Sequence, residues 1–350
     1  MMADRERGKG TAGMRRLAFG LGALIAVMAL AGAAPAQEIE LKLSHFLPPV
    51  HGIHTDFIEP WARELEARTG GQVKVSIFPG GTQLGNVARQ YDQVRAGVVD
   101  IAHGLTGIPR GRFPRTSIVD LPFLFDDADQ ATRALWAVLP DYLAEEYPGV
   151  KVLALHAHNP GLIHTRDRPM RTMDDLQGLR IRTPSPAISM MLEHLGAIPQ
   201  GLPPGEVYEA LQKGVIDGTV FPWDPVASFK LVEVLNHHLD ARTYTVSFFF
   251  VMNQAKYNGL PEDVRSAIDE LSGDHLIPKF GPWWAAWDKP GLDAAQAAGQ
   301  EIVPLSQEER ERWLETLQPM IEAYLDQIEA EGVENAREIY VALQEPTDVE

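Results

Sequence analysis

Residues 174–225 read DDLQGLRIRTPSPAISMMLEHLGAIPQGLPPGEVYEALQKGVIDGTVFPWDP. At their centre Leu179, Arg180, Ile181 and Arg182 alternate between apolar and charged, the two-residue period of a strand. Thr183-Pro184 ends that strand, because proline has no N–H for a ladder and restricts the residue before it. With Leu179 and Ile181 on a core, Arg180 and Arg182 share the opposite face. A guanidinium stays charged in a protein, and its planar fork matches a carboxylate with two hydrogen bonds. The pattern points to Arg182 as the anchor for the carboxylate of a small organic acid. It also describes two arginines that are solvated or paired with nearby acids such as Asp174 and Asp175.

The 350 residues are 45% hydrophobic, enough for a sizeable core and two domains of ordinary size. There is no cysteine, which excludes disulfides, thiol chemistry and a lipidated N-terminus. Residues 1–36 read as an export signal that is cleaved after about Ala36. Arg5, Arg7, Lys9, Arg15 and Arg16 form its basic region, residues 17–31 its uncharged apolar region, and Ala34-Pro35-Ala36 its small-residue cleavage site. Met14 offers an alternative start. No other segment reads as a membrane span, so the expected location is the periplasm, without membrane insertion once the signal is removed. The formal charge is −17, and cleavage leaves 26 basic against 46 acidic side chains, or −20. Such a chain does not seek nucleic acid or anionic membrane. An anionic ligand must then be held by short-range paired contacts rather than by a general field.

Taken in order, residues 39–44 alternate as a first strand, and the loop 45–52 follows, with His45 and Phe46 at its start. Loops at the carboxyl ends of strands are where ligands bind in α/β sheets. A helix over 57–68, a strand over 73–77 and the turn FPGGTQLG at 78–85 come next. No Gly-Lys-Ser/Thr follows those glycines, so they do not cradle phosphate. Residues 98–102 predict a buried strand, with Thr106 in the loop 103–107 after it. A helix from Asp126 to about Tyr147 and a strand over 152–155 lead to His156-Ala157-His158-Asn159-Pro160. A His-x-His at a strand end can bind zinc, but no third ligand stands at a recognised spacing. Residues 186–195 and 205–214 read as helices, and 215–220 as a strand that delivers Phe221-Pro222-Trp223-Asp224-Pro225. Residues 243–252 form a further strand-like run. Residues 276–300 carry Trp283, Trp284 and Trp287, and Pro278, Pro282 and Pro290 predict a bend or break there. Residues 305–330 and 334–343 close the chain as helices. This β-α alternation argues for mostly parallel pairing with right-handed crossovers. No nucleophile elbow, zinc-protease helix or dinucleotide loop is present, so nothing in the pattern builds an enzyme.

GLRIRTP, GEVYEALQKGVIDG and the aromatic-proline segment after them resemble the solute-binding subunits of TRAP transporters, the DctP-type family. FPGGTQLG, LPFLF at 121–125 and Leu260-Pro261-Glu262 extend the resemblance over nearly all of the chain after residue 36. It implies a two-domain α/β fold of the type II periplasmic binding protein kind, with mixed sheets flanked by helices and a ligand cleft between the domains. Domain I would comprise 37–159 plus about 249–287. Domain II would comprise about 160–248 plus 288–350, with the helix near 276–300 spanning both. The implied function is capture of a small organic acid by hinge closure and delivery to TRAP permease subunits in the membrane, without a cofactor or catalysis. Arg182 would clamp the carboxylate. His158 and Asn159, at the domain crossing, would hydrogen-bond the ligand or serve as ordinary hinge residues. His45, Phe46 and Thr106 would contribute from the strand-end loops.

The chain departs from the family where sugar-acid binders often carry an asparagine, just before the proline matched by Pro222. Here Phe221 stands instead, and with Trp223 it offers an aromatic face for an aromatic or branched acid. The alternative is that both rings pack in the core. Two other functions stay open: a ligand sensor for a receptor kinase, and a metal-dependent hydrolase using His156 and His158.

Overall fold

The structure, a computed structural model, describes residues 38–345. Eleven strands follow one another among them: β1 (Ile39–His45), β2 (Val73–Phe78), β3 (Ile101–Leu105), β4 (Val150–Ala157), β5 (Leu162–Thr165), β6 (Arg180–Thr183), β7 (Ile198–Gly201), β8 (Gly218–Phe221), β9 (His237–Asp240), β10 (Ser247–Asn253) and β11 (Glu301–Pro304). They form two sheets, β2-β1-β3-β10-β4 and β11-β9-β5-β8-β6-β7. Both sheets are mixed. β1 and β3 are parallel, and β10 runs antiparallel between β3 and β4. β8, β6 and β7 are parallel neighbours, whereas β5 is antiparallel to β8 and β9. Helices flank both sheets, so the α/β class with mixed sheets holds. The export signal lies outside the described residues.

Local sequence explains the central element well. Thr172 and Asp175 form a reciprocal capping box that starts the short turn before β6. Ile181 is fully buried, as the alternation requires. Arg180 reaches the rim and is held by both oxygens of Asp217 at 2.6 and 2.9 Å, so its partner is neither Asp174 nor Asp175.

Three expectations change. The strand predicted over 98–102 starts only at Ile101 and runs on through His103 and Gly104, which were expected in a loop. Val98 is half exposed, and the pairing of Gly104 with Phe249 and of His103 with Phe250 carries the ladder further. Likewise β8 starts at Gly218, with Val215 exposed. Finally, Ile277–Ala297 is one continuous helix despite Pro282 and Pro290. Each proline removes one intrahelical N–H donor. Both prolines are exposed, as are Pro278 and Ala286, whose carbonyls lose that donor. On the other side a buried stripe, Phe280, Trp284, Trp287, Gly291 and Ala295, packs the helix down.

The chain passes from β4 to β5 through residues 158–161 and returns from β9 to β10 through 241–246. The two passages run side by side. His158 N–H donates to Val246 O at 3.3 Å, Gly161 N–H to Tyr244 O at 2.6 Å, and Thr245 Oγ1 to His158 O at 2.8 Å. The helix Ile277–Ala297 packs against Ala128–Val138 and β4, and also against Asp224–Ser228 and β11. Its approach to the loop after β8 is very close, since a Cβ on Gly291 would sit 1.9 Å from Trp223 O. A backbone carbonyl cannot rotate out of the way. Gly291→Ala is therefore expected to cost ~1–3 kcal/mol, read as a lower midpoint in denaturant. An unchanged midpoint would show that the helix can step back freely.

Candidate functional site

The carboxyl ends of the parallel strands β1, β3, β6 and β8 converge on a partly open cavity, with about 470 Å³ of empty space when the solvent at its mouth is included. Its wall is mostly apolar, built from Phe46, Leu47, Ile53, Leu105, Phe221, Phe229, Val246, Phe248 and Trp284 with several prolines. Five polar side chains interrupt that wall: His51, His158, Arg182, Asp224 and Tyr244. A cavity of this kind orients an apolar ligand through a few placed polar groups.

Arg182 is fully buried. Its Nε donates to Leu202 O at 3.0 Å and its Nη1 to Val220 O at 3.4 Å. Nη2 has no partner. Burial pulls the guanidinium down to about 10, and the only side chain acting against that is Tyr244. It therefore remains a cation at neutral pH. The Phe221 ring lies 4.3 Å from Cζ, which screens one face of the charge with a π-system. Tyr244 Oη, also buried, is likewise unpaired.

His158 stands at the end of the first passage. Its Nδ1 meets Asn159 O at 2.5 Å, and because a carbonyl only accepts, the ring proton sits on Nδ1. Burial holds this ring down to about 4, so it is neutral. Across the cavity His51 Nε2 reaches Asp224 Oδ2 at 2.6 Å, a buried link from the loop after β1 to the loop after β8. On the opposite side Arg110 Nη2 donates to Ser189 Oγ at 3.1 Å, and Gly107 lies close under Pro184 and Ser185.

Of the residues singled out from sequence, Arg182, His158, Phe221 and Phe46 line the cavity together. The other four lie behind it. Asn159 joins Asp288 and Ala128 N–H, bracing the helix Ala128–Val138. Trp223 packs with Leu162, Val226 and Ala295. His45 pairs with His54, and Thr106 with Ser247. Sequence reading missed His51, Asp224, Tyr244 and Phe248 as lining groups. Asp224 and His51 do stand in segments recognised as strand-end loops, but nothing local marks their pairing.

His156 faces the core. Its Nδ1 accepts from Trp284 Nε1 at 3.3 Å and its Nε2 meets His103 at 2.9 Å, so both nitrogens are engaged. Among the described residues no group of three or more His, Asp or Glu side chains is placed to hold a metal ion.

The family model for DctP, bacterial extracellular solute-binding protein family 7, matches residues 43–327. The C4-dicarboxylate-binding periplasmic protein DctP of Rhodobacter capsulatus is 28% identical over 323 residues, 89% of this chain and 96% of that protein. A TRAP solute-binding protein of Rhodoferax ferrireducens T118, solved with copurified benzoate, superposes with a TM-score of 0.83 at 32% identity, covering 87% of this chain and 96% of the other. A marine-metagenome TRAP solute-binding protein specific for aromatic acids, solved with 3-hydroxybenzoate, gives a TM-score of 0.83 at 33% identity, covering 88% and 100%.

The buried titratable groups set the pH response. Burial holds His45 down to about 3 and His158 to about 4, and keeps His103, His156 and His164 well below 6.5. The unfolded chain takes up these protons near 6.5, so this stability is complete above 6.5 and is lost as pH falls toward 4 and 3. Asp120 acts in the opposite sense. Burial pushes its carboxyl from 3.8 up to about 8, against only partial help from Ser185 and Ser247, and neither oxygen has a well-formed hydrogen bond. Its contribution is complete at low pH and is lost as pH rises toward 8. Calorimetric melting temperatures should therefore fall on both sides of a maximum. Asp120→Asn should gain on the wild type between about pH 5 and about pH 8; a constant difference would refute the assignment.

Proposed function

Because the chain belongs to the DctP family of bacterial extracellular solute-binding proteins, we propose that it captures a small organic acid with an aromatic or otherwise apolar body and hands it to a TRAP-type permease in the membrane. One observation carries this reading: a fully buried guanidinium, free at Nη2, stands at an apolar cavity with no acidic partner among the described residues. A buried ion left without a counter-charge is strongly unfavourable, and an incoming carboxylate supplies both the charge and the acceptors. Tyr244 Oη offers a further donor beside it. Phe221, Phe248 and Trp284 suit a ring, and benzoate and 3-hydroxybenzoate in the related structures are acids of this shape.

In this reading residues 37–159 plus about 249–287 and residues 160–248 plus 288–350 are two lobes. They close about the paired passages 158–161 and 241–246. Closure brings His51 to Asp224 and Arg110 to Ser189, and excludes water from the clamp. The ligand favours the closed form because only there are all the contacts made. The site of action is the periplasm, reached by export on residues 1–36.

The reading is tested by thermal shift and calorimetry on the exported protein with benzoate, phenylacetate and mandelate, each beside its amide. The acids should raise the melting temperature and the amides should not. A charge-assisted clamp contributes ~1.5–3 kcal/mol, so Arg182→Met should weaken binding of the best acid at least about tenfold to a hundredfold. Equal binding of acid and amide, or unchanged affinity in Arg182→Met, would overturn it.

A further inference from the structure

The polar atoms at the cavity divide into donors and acceptors, and this division says more about the cargo than the presence of Arg182 does. On the donor side stand Arg182 Nη2 and Tyr244 Oη, neither with a partner among the described residues. On the acceptor side the protons can be placed from their neighbours. His158 spends its Nδ1–H on Asn159 O, which leaves the Nε2 lone pair bare, and no described side chain or backbone group donates to it. Ile53 N–H donates to His51 Nδ1 at 3.0 Å, so the His51 proton is on Nε2 and is given to Asp224 Oδ2 at 2.6 Å. Ser228 Oγ donates to that same oxygen at 3.1 Å. Both protein donors are thus spent on Oδ2, and none of the described residues donates to Oδ1. Asp224 is itself almost fully buried in the cavity wall.

A ligand with only a carboxylate and a hydrocarbon ring satisfies the donor side and leaves two acceptors dry. A ligand with a second carboxylate would set a negative charge against Asp224 in a largely apolar space. Resting on the reading of the cavity as a carboxylate site, we propose that the cargo is a monocarboxylate whose apolar body carries a hydrogen-bond donor, a hydroxyl or an amino group, accepted by His158 Nε2 and Asp224 Oδ1, and that Asp224 turns away acids with a second carboxylate. A site built to accept a hydrogen bond rejects the analogue that lacks the donor, because its own buried atoms are then left unpaired. Asp224 and His158 are here specificity-determining residues, and His51 positions Asp224 by occupying Oδ2.

The test is calorimetric titration of the exported protein with ligands that share one ring and one carboxylate: benzoate, the three monohydroxybenzoates, the aminobenzoates, isophthalate and terephthalate. The best hydroxy or amino acid should bind about tenfold to a hundredfold tighter than benzoate, and both dicarboxylates at least about tenfold weaker than benzoate. In Asp224→Asn the ratio of the best donor-bearing acid to benzoate should shrink and the isophthalate-to-benzoate ratio should rise. The wild-type ratios decide the matter even if that variant folds poorly. Benzoate binding as tightly as every donor-bearing acid, or isophthalate binding as tightly as benzoate, overturns this inference alone. Failure of every aromatic acid, benzoate included, overturns the aromatic-acid reading and the inference with it.

Discussion

A guanidinium taken wholly out of water without a counter-ion is the constraint around which the rest of this molecule is arranged. Two backbone carbonyls and an aromatic face hold Arg182, and together they compensate only part of the lost hydration. The rest of that cost is left uncompensated by the described residues. In the proposed reading an entering carboxylate would make up that difference, the differential a binding protein needs if its ligand is to shift its conformation. The negative net charge is compatible with the proposed reading, in which recognition would depend on one desolvated contact and not on long-range attraction.

The layer beneath the cavity is built from neutral polar rings. His45 meets His54, His103 meets His156, and Trp284 reaches from the long helix to His156. Burial keeps His45, His103 and His156 uncharged, so they act as polarised packing elements that set the back wall without bringing competing charge near Arg182. Where acid is needed it is tied down: Asp288 bridges Asn159 and the backbone N–H of Asp224. In this way the end of the first passage, the long helix and the loop after β8 are joined behind the ligand space. Asn159, expected at the ligand, acts there as a brace.

The alternation at 179–182, the proline stop and the strand-end loops were legible because they depend on neighbours in the chain. Period, φ restriction and capping act over a few residues, and so the α/β class, the central strand, the candidacy of Arg182 and the placing of Phe46, His158 and Phe221 near a strand end follow from local sequence. The exact strand limits were not legible. β3 runs through His103 and Gly104 because β10, far along the chain, supplies its ladder. The helix Ile277–Ala297 ignores two prolines because its buried stripe is anchored on both sides. Long-range packing settles which arginine is buried and which meets Asp217, which histidine nitrogen carries a proton, and that His51 and Asp224 meet across the cavity. Each of these depends on groups brought together from distant segments. The energies that select them, desolvation and pairing, do not exist until the chain has folded.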